Sequence, residues 1–324
     1  MRIVIASRIL NEEDIVEAFV RHNATFAAHL LFFDNGSTDR TLAILLALRD
    51  EGLPISVFQA RAVGFDEARV NTWLYETADG LHRPDWVAFL DVDEFIVAGE
   101  DGLAPLLAPL LAAAPAPAVA LPLVNYHDTA DDDPAELVIP RRLRWRARQM
   151  PPVPKVIVRG GFGARCAIAP GNHGASVDGV ALPHVGLPGA SLAHYPRRSG
   201  WHDLQKSAIG WLKVLAARGH AAQAGYSAHY RVPFERLRDA PASLLREPAY
   251  LAQPVDPARM VLDPIAYRGG ELRHTVPSDP AMRALAAALH HAEALARAHG
   301  RLLDESAEAR GLVARWNGER NFLF

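Results

Sequence analysis

The strongest chemical signal in the sequence is an apolar run that ends in three carboxylates within four residues. Residues 86–90 read Trp-Val-Ala-Phe-Leu, and Asp91, Asp93 and Glu94 follow. An apolar run of this length is typical of a buried strand. Carboxylates at its carboxyl end offer the oxygen ligands that a hard divalent cation prefers. We interpret the motif as a metal site and expect Asp93 to lie at the open end of the strand, outside the core.

A second polar sequence follows another apolar run, where Asp34-Asn35-Gly36-Ser37 comes directly after Leu-Phe-Phe. Asn-Gly is a strong turn signal, and Ser37 or Thr38 is expected to cap the next helix. Turn chemistry does not require Asp34. Its carboxylate could accept a hydrogen bond from a nucleobase N–H.

Glycine-rich phosphate motifs are missing. Residues 7–13 read Ser-Arg-Ile-Leu-Asn-Glu-Glu where a dinucleotide fingerprint would begin, and the sequence contains no Walker A motif. A bound nucleoside diphosphate would therefore need a metal and arginines to balance its charge.

Alternating patterns predict the elements that position these residues. Strands are predicted at 3–7, 30–33, 55–58 and 86–90, with helices at 12–23, 38–50 and 66–79 between them, the first beginning at Asn11. This alternation is typical of a parallel sheet with helices on both faces, whose ligands bind beyond the carboxyl ends of the strands. Further strands are predicted at 121–126, 137–139, 155–159 and 191–194, and further helices at 200–218 and 280–315.

Composition excludes several classes of protein. The 324 residues suit one large domain, or a domain with an appendage. A net charge of -3 argues against a nucleic-acid binder. The single cysteine, Cys166, permits no internal disulfide and fits the cytosol.

Residues 103–124 carry no charge and resemble a membrane span, but five prolines interrupt them. We interpret them as a short helix, a connector and a strand. The first five residues run directly into a strand pattern, so no export signal is expected.

The ordered motifs resemble the glycosyltransferase family 2 superfamily, especially its bacterial branch with an Asp-x-Asp-Glu-Phe motif, and are also similar to family 92. The matching segments are 11–13, 34–39, 69–71, 85–95, Lys155, 171–173, and 194–199 with Lys206 downstream. The resemblance covers about residues 1–215, with a nucleotide-sugar half at about 1–100 and an acceptor half at about 120–215. Residues 216–324 form a mainly helical extension in this interpretation.

The resemblance implies an α/β fold of the GT-A type with a mostly parallel sheet. It implies a metal-dependent, inverting transfer of sugar from a nucleoside diphosphate sugar, with a UDP-sugar favoured, to a hydroxyl of a saccharide or glycolipid. The implied cofactor is Mn²⁺ or Mg²⁺, and the implied setting is bacterial surface polysaccharide synthesis, in the cytoplasm or at the inner face of the membrane.

The resemblance also assigns roles to residues. Donor binding falls to Asn11, Glu13, Asp34, Asn35, Arg69, Asp91 and Lys155, and metal binding to Asp91 and Asp93 with His173 or His194. The Glu-Asp pair that supplies the base in many family 2 enzymes is not evident here. Asp128 is the expected catalytic base, in competition with 131–133 and Glu136.

Alternative interpretations remain open at this point. A haloacid-dehalogenase-type phosphatase also has a strand ending in Asp-x-Asp, but that motif normally opens its domain. A non-catalytic sugar-nucleotide-binding protein is the other alternative. The five arginines of 141–148 could bind a diphosphate, an anionic acceptor or a membrane surface, or cover a sheet. The apolar stripe over 285–303 predicts that the last helices pack on the catalytic domain or on a second subunit.

Overall fold

The structure is a computed structural model that describes residues 1–64, 66–98, 111–151, 153–217, 228–242 and 254–318. The start of the segment 103–124, where a short helix was expected, lies outside the described residues. The helices within these ranges are α1 (Val16–Asn23), α2 (Thr41–Asp50), α3 (Glu67–His82), α4 (Ile139–Arg142), α5 (Gly200–Ala216), α6 (Arg231–Asp239), α7 (Pro280–Glu305) and α8 (Ala307–Gly318). Short 3-10 turns cover Gly163–Arg165, Pro170–Asn172 and Ala228–Tyr230.

The strands include β1 (Ile3–Ile9), β2 (His29–Asp34), β3 (Ile55–Gln59), β4 (Trp86–Phe89), β5 (Glu94–Ala98), β6 (Ala118–Leu121), β7 (Leu123–His127) and β8 (Trp145–Ala147). The chain continues with β9 (Lys155–Arg159), β10 (Cys166–Ile168), β11 (Ala175–Val177), β12 (Val180–Ala181), β13 (His184–Gly186), β14 (Ala190–His194) and β15 (Met260–Leu262).

Within the described residues, seven strands form the central sheet in the order β3-β2-β1-β4-β9-β6-β13. The strands β3, β2, β1 and β4 run parallel, and β9 is antiparallel to both of its neighbours. Alternate residues of β1 point to opposite faces, where Ile5 packs with α1 and α2 and Val4 packs with α3. The predicted α/β fold with a mostly parallel sheet is confirmed.

A second sheet has the order β15-β8-β7-β14-β5 among the described strands. The single strand predicted at 121–126 is wrong, because Pro122 separates β6 in the first sheet from β7 in the second. Proline has no N–H to donate to a ladder, and its carbonyl accepts from Leu192 at 2.9 Å. A three-stranded sheet of β10, β11 and β12 lies beside α3.

Three further local predictions are wrong. The first helix begins at Val16, because Asn11 has a φ of 57° and its side chain binds another loop instead of capping the helix. The second begins at Thr41, and neither Ser37 nor Thr38 caps it. Residues 137–139 form no strand, since the chain turns there into the short helix α4.

Helix α7 packs on the rest of the chain, as one of the two predicted alternatives has it, but the face predicted to be buried is wrong. Helix α7 packs on α5 and buries Ala284, Ala287 and His291. Leu285 and Leu289, which belong to the stripe expected to be buried, are 55% and 62% exposed. The helix predicted at 280–315 is also interrupted, because Ser306 is extended and its hydroxyl accepts from Ala309 N–H. Among the described helices, none has the length and apolar character needed to cross a membrane.

Candidate functional site

The parallel strands bring the polar motifs to one edge of the central sheet. β1, β2 and β4 end at this edge, so Asp34 at the end of β2 lies there, together with Asn11 and Asp91, which follow β1 and β4. β9 runs in the opposite direction and therefore begins at the same edge with Lys155. The sheet topology alone places Lys155 beside Asp91, 64 residues away in the chain.

Asp91 is held by two cations. Its carboxylate lies 2.8 Å from Lys155 Nζ and 3.0 Å from an Arg8 guanidinium nitrogen, and Arg8 also binds Glu67 at 2.7 Å. Burial would raise the pKa of Asp91, but the charges of Lys155 and Arg8 outweigh it and lower the pKa to about 2. Asp91 is therefore ionised at neutral pH.

Asp93 is buried, which corrects the expectation that it lies outside the core. Its side chain is 3% exposed, with Lys206 Nζ at 2.8 Å and Arg198 Nη1 at 3.9 Å from Oδ2. Burial acts to raise the pKa of Asp93, but Lys206, His194 and Arg198 hold it well below its usual range. A buried carboxylate of this kind needs such partners to remain charged.

Glu94 differs from the two aspartates. It is buried in β5, its Oε2 accepts from Asp91 N–H at 3.0 Å, and its Oε1 lies 3.0 Å from Lys155. Burial raises the pKa of Glu94 to about 8 despite Lys155. Through Oε2, Glu94 orients the Asp91 backbone.

His194 completes a set of metal-binding atoms with Asp93 and Glu94. These three side chains each present a ligand atom within 4.8 Å of the others. His194 Nε2 lies 3.7 Å from Asp93 Oδ1, a separation compatible with one cation bridging the two. Burial lowers the pKa of His194 to about 4, so the ring is neutral and can act as a ligand.

Asn125 fixes which nitrogen of His194 faces Asp93. Asn125 Oδ1 lies 2.8 Å from His194 Nδ1, and the two residues are paired in register between β7 and β14. An amide oxygen accepts, so Nδ1 carries the proton and the lone pair of Nε2 faces Asp93. The donor set of Asp93 and His194 therefore fits a divalent cation.

His173 lies apart from this set. Its Nδ1 contacts the Pro154 carbonyl oxygen at 2.8 Å, and its side chain is exposed. The structure thus brings His194, and not His173, to Asp93.

The first two loops at the sheet edge bind each other. Asn11 Oδ1 accepts from Thr38 N–H at 2.8 Å, and Glu13 Oε2 accepts from Arg40 N–H at 3.0 Å. Asn11 N–H in turn donates to Ser37 Oγ. Asn11 and Glu13 were predicted to bind the sugar donor. Both are buried, and their side chains hold the two loops together.

Asp34 is fully buried and forms the core of its turn. Its oxygens accept from the N–H groups of Gly36 and Ser37 at 3.1 Å and from Gln59 Nε2 at 2.8 Å. Gly36 has a φ of 88°, which its lack of a Cβ permits. The neighbouring Asn35 has a buried Oδ1 without a hydrogen-bond partner among the described residues. That oxygen is the better candidate for a direct ligand contact.

The two remaining predicted residues, Arg69 and Asp128, lie at the periphery of the candidate site. Arg69 is exposed in the first turn of α3, where its N–H donates to the capping Asp66. Asp128 follows β7 and lies 3.1 Å from Arg197 Nε. Burial raises the pKa of Asp128, although Arg197 acts against it.

The arginine stretch 141–148 is largely engaged with other parts of the chain. Arg141 pairs with Glu271 at 2.7 Å and Arg146 with Asp263 at 2.5 Å. Arg142 and Arg148 donate to backbone carbonyls. These contacts favour a structural role for the stretch.

Apart from Lys155, which was predicted to bind the donor, the cations around the cluster had no role predicted from the sequence. Arg198 bridges Glu12 and Asp14, at 2.5 and 2.9 Å, and it reaches Asp93 on its other side. Arg8 and Lys206 were likewise unassigned. The one available signal was rarity, because the sequence has only three lysines and two of them, Lys155 and Lys206, bind these carboxylates.

No family model matches the chain, and no curated protein matches it. Among solved structures, it is similar to Staphylococcus aureus TarS 1–349, at 13% identity over 75% of this chain and 73% of that chain, with a TM-score of 0.33. A glucosyl-3-phosphoglycerate synthase from Mycobacterium tuberculosis, in complex with Mn²⁺, UDP-glucose and phosphoglyceric acid, matches at 16% identity over 67% and 79%, with a TM-score of 0.32.

The mannosyltransferase PcManGT from Pyrobaculum calidifontis, in complex with GDP-Man and Mn²⁺, matches at 14% identity over 97% of this chain and 83% of that chain, with a TM-score of 0.35. Likenesses of this size do not by themselves establish a common fold.

Proposed function

We propose that this protein is a metal-dependent glycosyltransferase of the GT-A type that uses a nucleoside diphosphate sugar. The observation that carries the proposal is the pairing of Asp93 with a neutral His194 at the ligand-binding edge of a parallel sheet, surrounded by Arg8, Lys155 and Lys206. A metal site lined by cations suits a ligand that is itself strongly anionic, such as a diphosphate.

Asp93 and His194 would hold the cation, Mn²⁺ or Mg²⁺, and Asp91 lies beside them. When bound, the cation would neutralise charge on the departing diphosphate. Lys155 and Arg8 orient Asp91, and Asn125 keeps His194 in the ligating tautomer. His173 is the less favoured of the two histidines.

The donor would lie across the loops that follow β1 and β2. Asp34 shapes the turn and Asn35 offers its amide oxygen to the base, while Asn11 and Glu13 fix the neighbouring loop. Arg69 would reach the donor from the exposed start of α3. We favour a UDP-sugar on the strength of the family resemblance.

Asp128 is the proposed base that takes the proton of the acceptor hydroxyl. Its buried position raises its pKa, which suits a proton acceptor, and Arg197 holds its orientation. Inversion at the anomeric carbon would follow from attack opposite the diphosphate. The proposed acceptor is a saccharide or glycolipid of a bacterial surface polysaccharide, and the proposed setting is the cytoplasm or the inner face of the membrane.

The test is a donor screen followed by turnover. Thermal shift with UDP-sugars and GDP-sugars, with and without Mn²⁺, should show metal-dependent stabilisation, about 2.7 kcal/mol at 100 times the dissociation constant. Release of the nucleoside diphosphate from the bound donor would then support transfer. Hydrolysis of a generic aryl phosphate without donor binding would instead favour the phosphatase. Donor binding without any turnover would favour the non-catalytic binder.

A further inference from the structure

The two oxygens of Asp93 face different partners. Oδ1 faces His194 Nε2 at 3.7 Å, whereas Oδ2 accepts a hydrogen bond from Lys206 Nζ at 2.8 Å. An ammonium group and a divalent cation both bind a carboxylate through its single negative charge, so the ammonium at Oδ2 weakens the attraction of Oδ1 for a divalent cation.

Lys206 is more exposed than Asp93 and lies on a helix that other residues hold in place. It lies on α5, whose start is fixed by the Ser199 cap on His202 N–H, and by Arg198 through its pairs with Glu12 and Asp14. The side chain of Lys206 is 32% exposed, while that of Asp93 is 3% exposed. The helix is thus held by other residues, and the partly exposed Lys206 ammonium is carried on a flexible four-carbon stem.

The charges around Asp93 determine whether it is more stable with Lys206 or with a divalent cation. Asp91 is paired with Lys155 and Arg8, so Asp93 is the carboxylate that balances Lys206. A divalent cation placed on Asp93 would leave the Lys206 ammonium beside a cation of like charge. A diphosphate relieves this repulsion, because its oxygens can bind the metal and the ammonium together.

We propose that Lys206 is a resident counter-ion of Asp93, which a divalent cation must displace and which then binds the diphosphate of the donor. The inference rests on the proposed function and extends it to an order of binding. Free protein should bind Mn²⁺ weakly, and a nucleoside diphosphate should strengthen that binding.

The test measures two affinities of Lys206→Met, which removes the charge and keeps most of the length of the side chain. Mn²⁺ binding by the protein without nucleotide, followed by electron paramagnetic resonance, should strengthen by about tenfold or more. UDP binding at saturating Mn²⁺, followed by calorimetry, should weaken by about tenfold, because the displaced ammonium no longer contacts the diphosphate. A merely structural role for Lys206 would weaken the affinities for both Mn²⁺ and UDP. A rise in Mn²⁺ affinity with a fall in UDP affinity therefore identifies Lys206 as the counter-ion.

Two controls accompany the measurement. Arg297→Met removes one positive charge from an exposed position on α7 and should change neither affinity. Lys206→Arg keeps the charge and should resemble the unmodified protein in both. Should Lys206→Met fail to fold, Lys206→Gln takes its place.

The outcomes separate the inference from the proposed function. If the unmodified protein binds Mn²⁺ and UDP together but Lys206→Met leaves the affinity for Mn²⁺ alone unchanged or lower, the inference is overturned and the proposed function stands. If the unmodified protein binds neither Mn²⁺ nor UDP under any condition, both are overturned.

Discussion

The carboxylates of the site are stable because each is matched by a cation from a different part of the chain. Asp91 receives Arg8 from the end of β1 and Lys155 from the start of β9, and Asp93 receives Lys206 from α5. Burying such charges without partners would cost several kcal/mol each. The cations therefore allow an ionised cluster to exist in the folded protein.

The two candidate histidines should differ when replaced. His194→Ala should weaken Mn²⁺ binding in the presence of UDP by about tenfold or more, because it removes a ligand atom. His173→Ala should leave that affinity unchanged, since His173 contacts Pro154 and not Asp93. Titration of Mn²⁺ by electron paramagnetic resonance would check both. Equal weakening in the two variants would count against this assignment.

The carboxylates could be predicted from the sequence, whereas their partners could not. Asp91 and Asp93 follow an apolar run, which is a local pattern. The contact between Asp93 and Lys206 joins residues 113 apart, and no local pattern encodes it. The preference for His194 over His173 likewise depends on the register of β14 with β7 and β5.

At the scale of elements, helix α1 links the central sheet to the C-terminal segment. Glu17 is buried in α1 and accepts hydrogen bonds from the N–H groups of 273–275. His22 binds the Ile96 carbonyl oxygen through Nε2 and accepts from Arg268 N–H through Nδ1. The neutral imidazole thus uses both ring nitrogens, Nε2 as a donor and Nδ1 as an acceptor. A second proton on Nδ1 would break the contact with Arg268 N–H.

This arrangement predicts a pH-dependent stability. Burial lowers the pKa of His22 to about 4, from an ordinary value near 6.5. Between these values the unfolded chain binds a proton that the folded chain does not. The free energy of unfolding should therefore fall as the pH drops from 6.5 toward 4, and His22 should account for about 2 kcal/mol between pH 7 and 5.

Urea denaturation at pH 7 and pH 5 would measure this contribution. His22→Gln should lower stability at pH 7 but lose less on acidification than the unmodified protein. The control is His290→Gln, at an exposed histidine of α7, which should leave the pH dependence unchanged. An unaltered pH dependence in His22→Gln would show that His22 does not carry the effect.

Elements with strong periodic patterns could be predicted, and those with competing contacts could not. Predicted strands at 86–90 and 155–159 agree with Trp86–Phe89 and Lys155–Arg159 because continuous apolar runs mark buried strands. The start of α1 was missed because Asn11 serves the loop of Thr38 instead of a helix. Such tertiary competition is not visible in a local pattern.

At the scale of the whole molecule, α7 lies over the helix that carries Lys206. Its buried face of Ala284, Ala287 and His291 packs against α5, and Arg283 approaches Glu13 and Asp14 at 3.7 and 3.6 Å. The C-terminal helices therefore support the candidate site. The apolar periodicity of 285–303 was read correctly as a helix, but spacing alone did not identify which side faces the protein.

Two truncations would test this support. Ending the chain at 279 removes α7, exposes α5, and should reduce solubility and metal-dependent UDP affinity. Ending it at 305 removes α8 and leaves the contacts of α7 with α5, so it should retain that affinity. Size-exclusion chromatography and calorimetry would measure both. A soluble 1–279 chain with full UDP affinity would show that the helices are an independent appendage.

The most direct test of the account is the metal dependence of nucleotide binding in Asp93→Asn. Asparagine preserves the volume of the buried side chain but removes the charge that a cation needs. Calorimetry with UDP and Mn²⁺ should show tight, metal-dependent binding by the unmodified protein and loss of the metal dependence in Asp93→Asn, with circular dichroism unchanged. Metal-dependent UDP binding of equal affinity in a folded Asp93→Asn would contradict the assignment of Asp93 as the metal ligand.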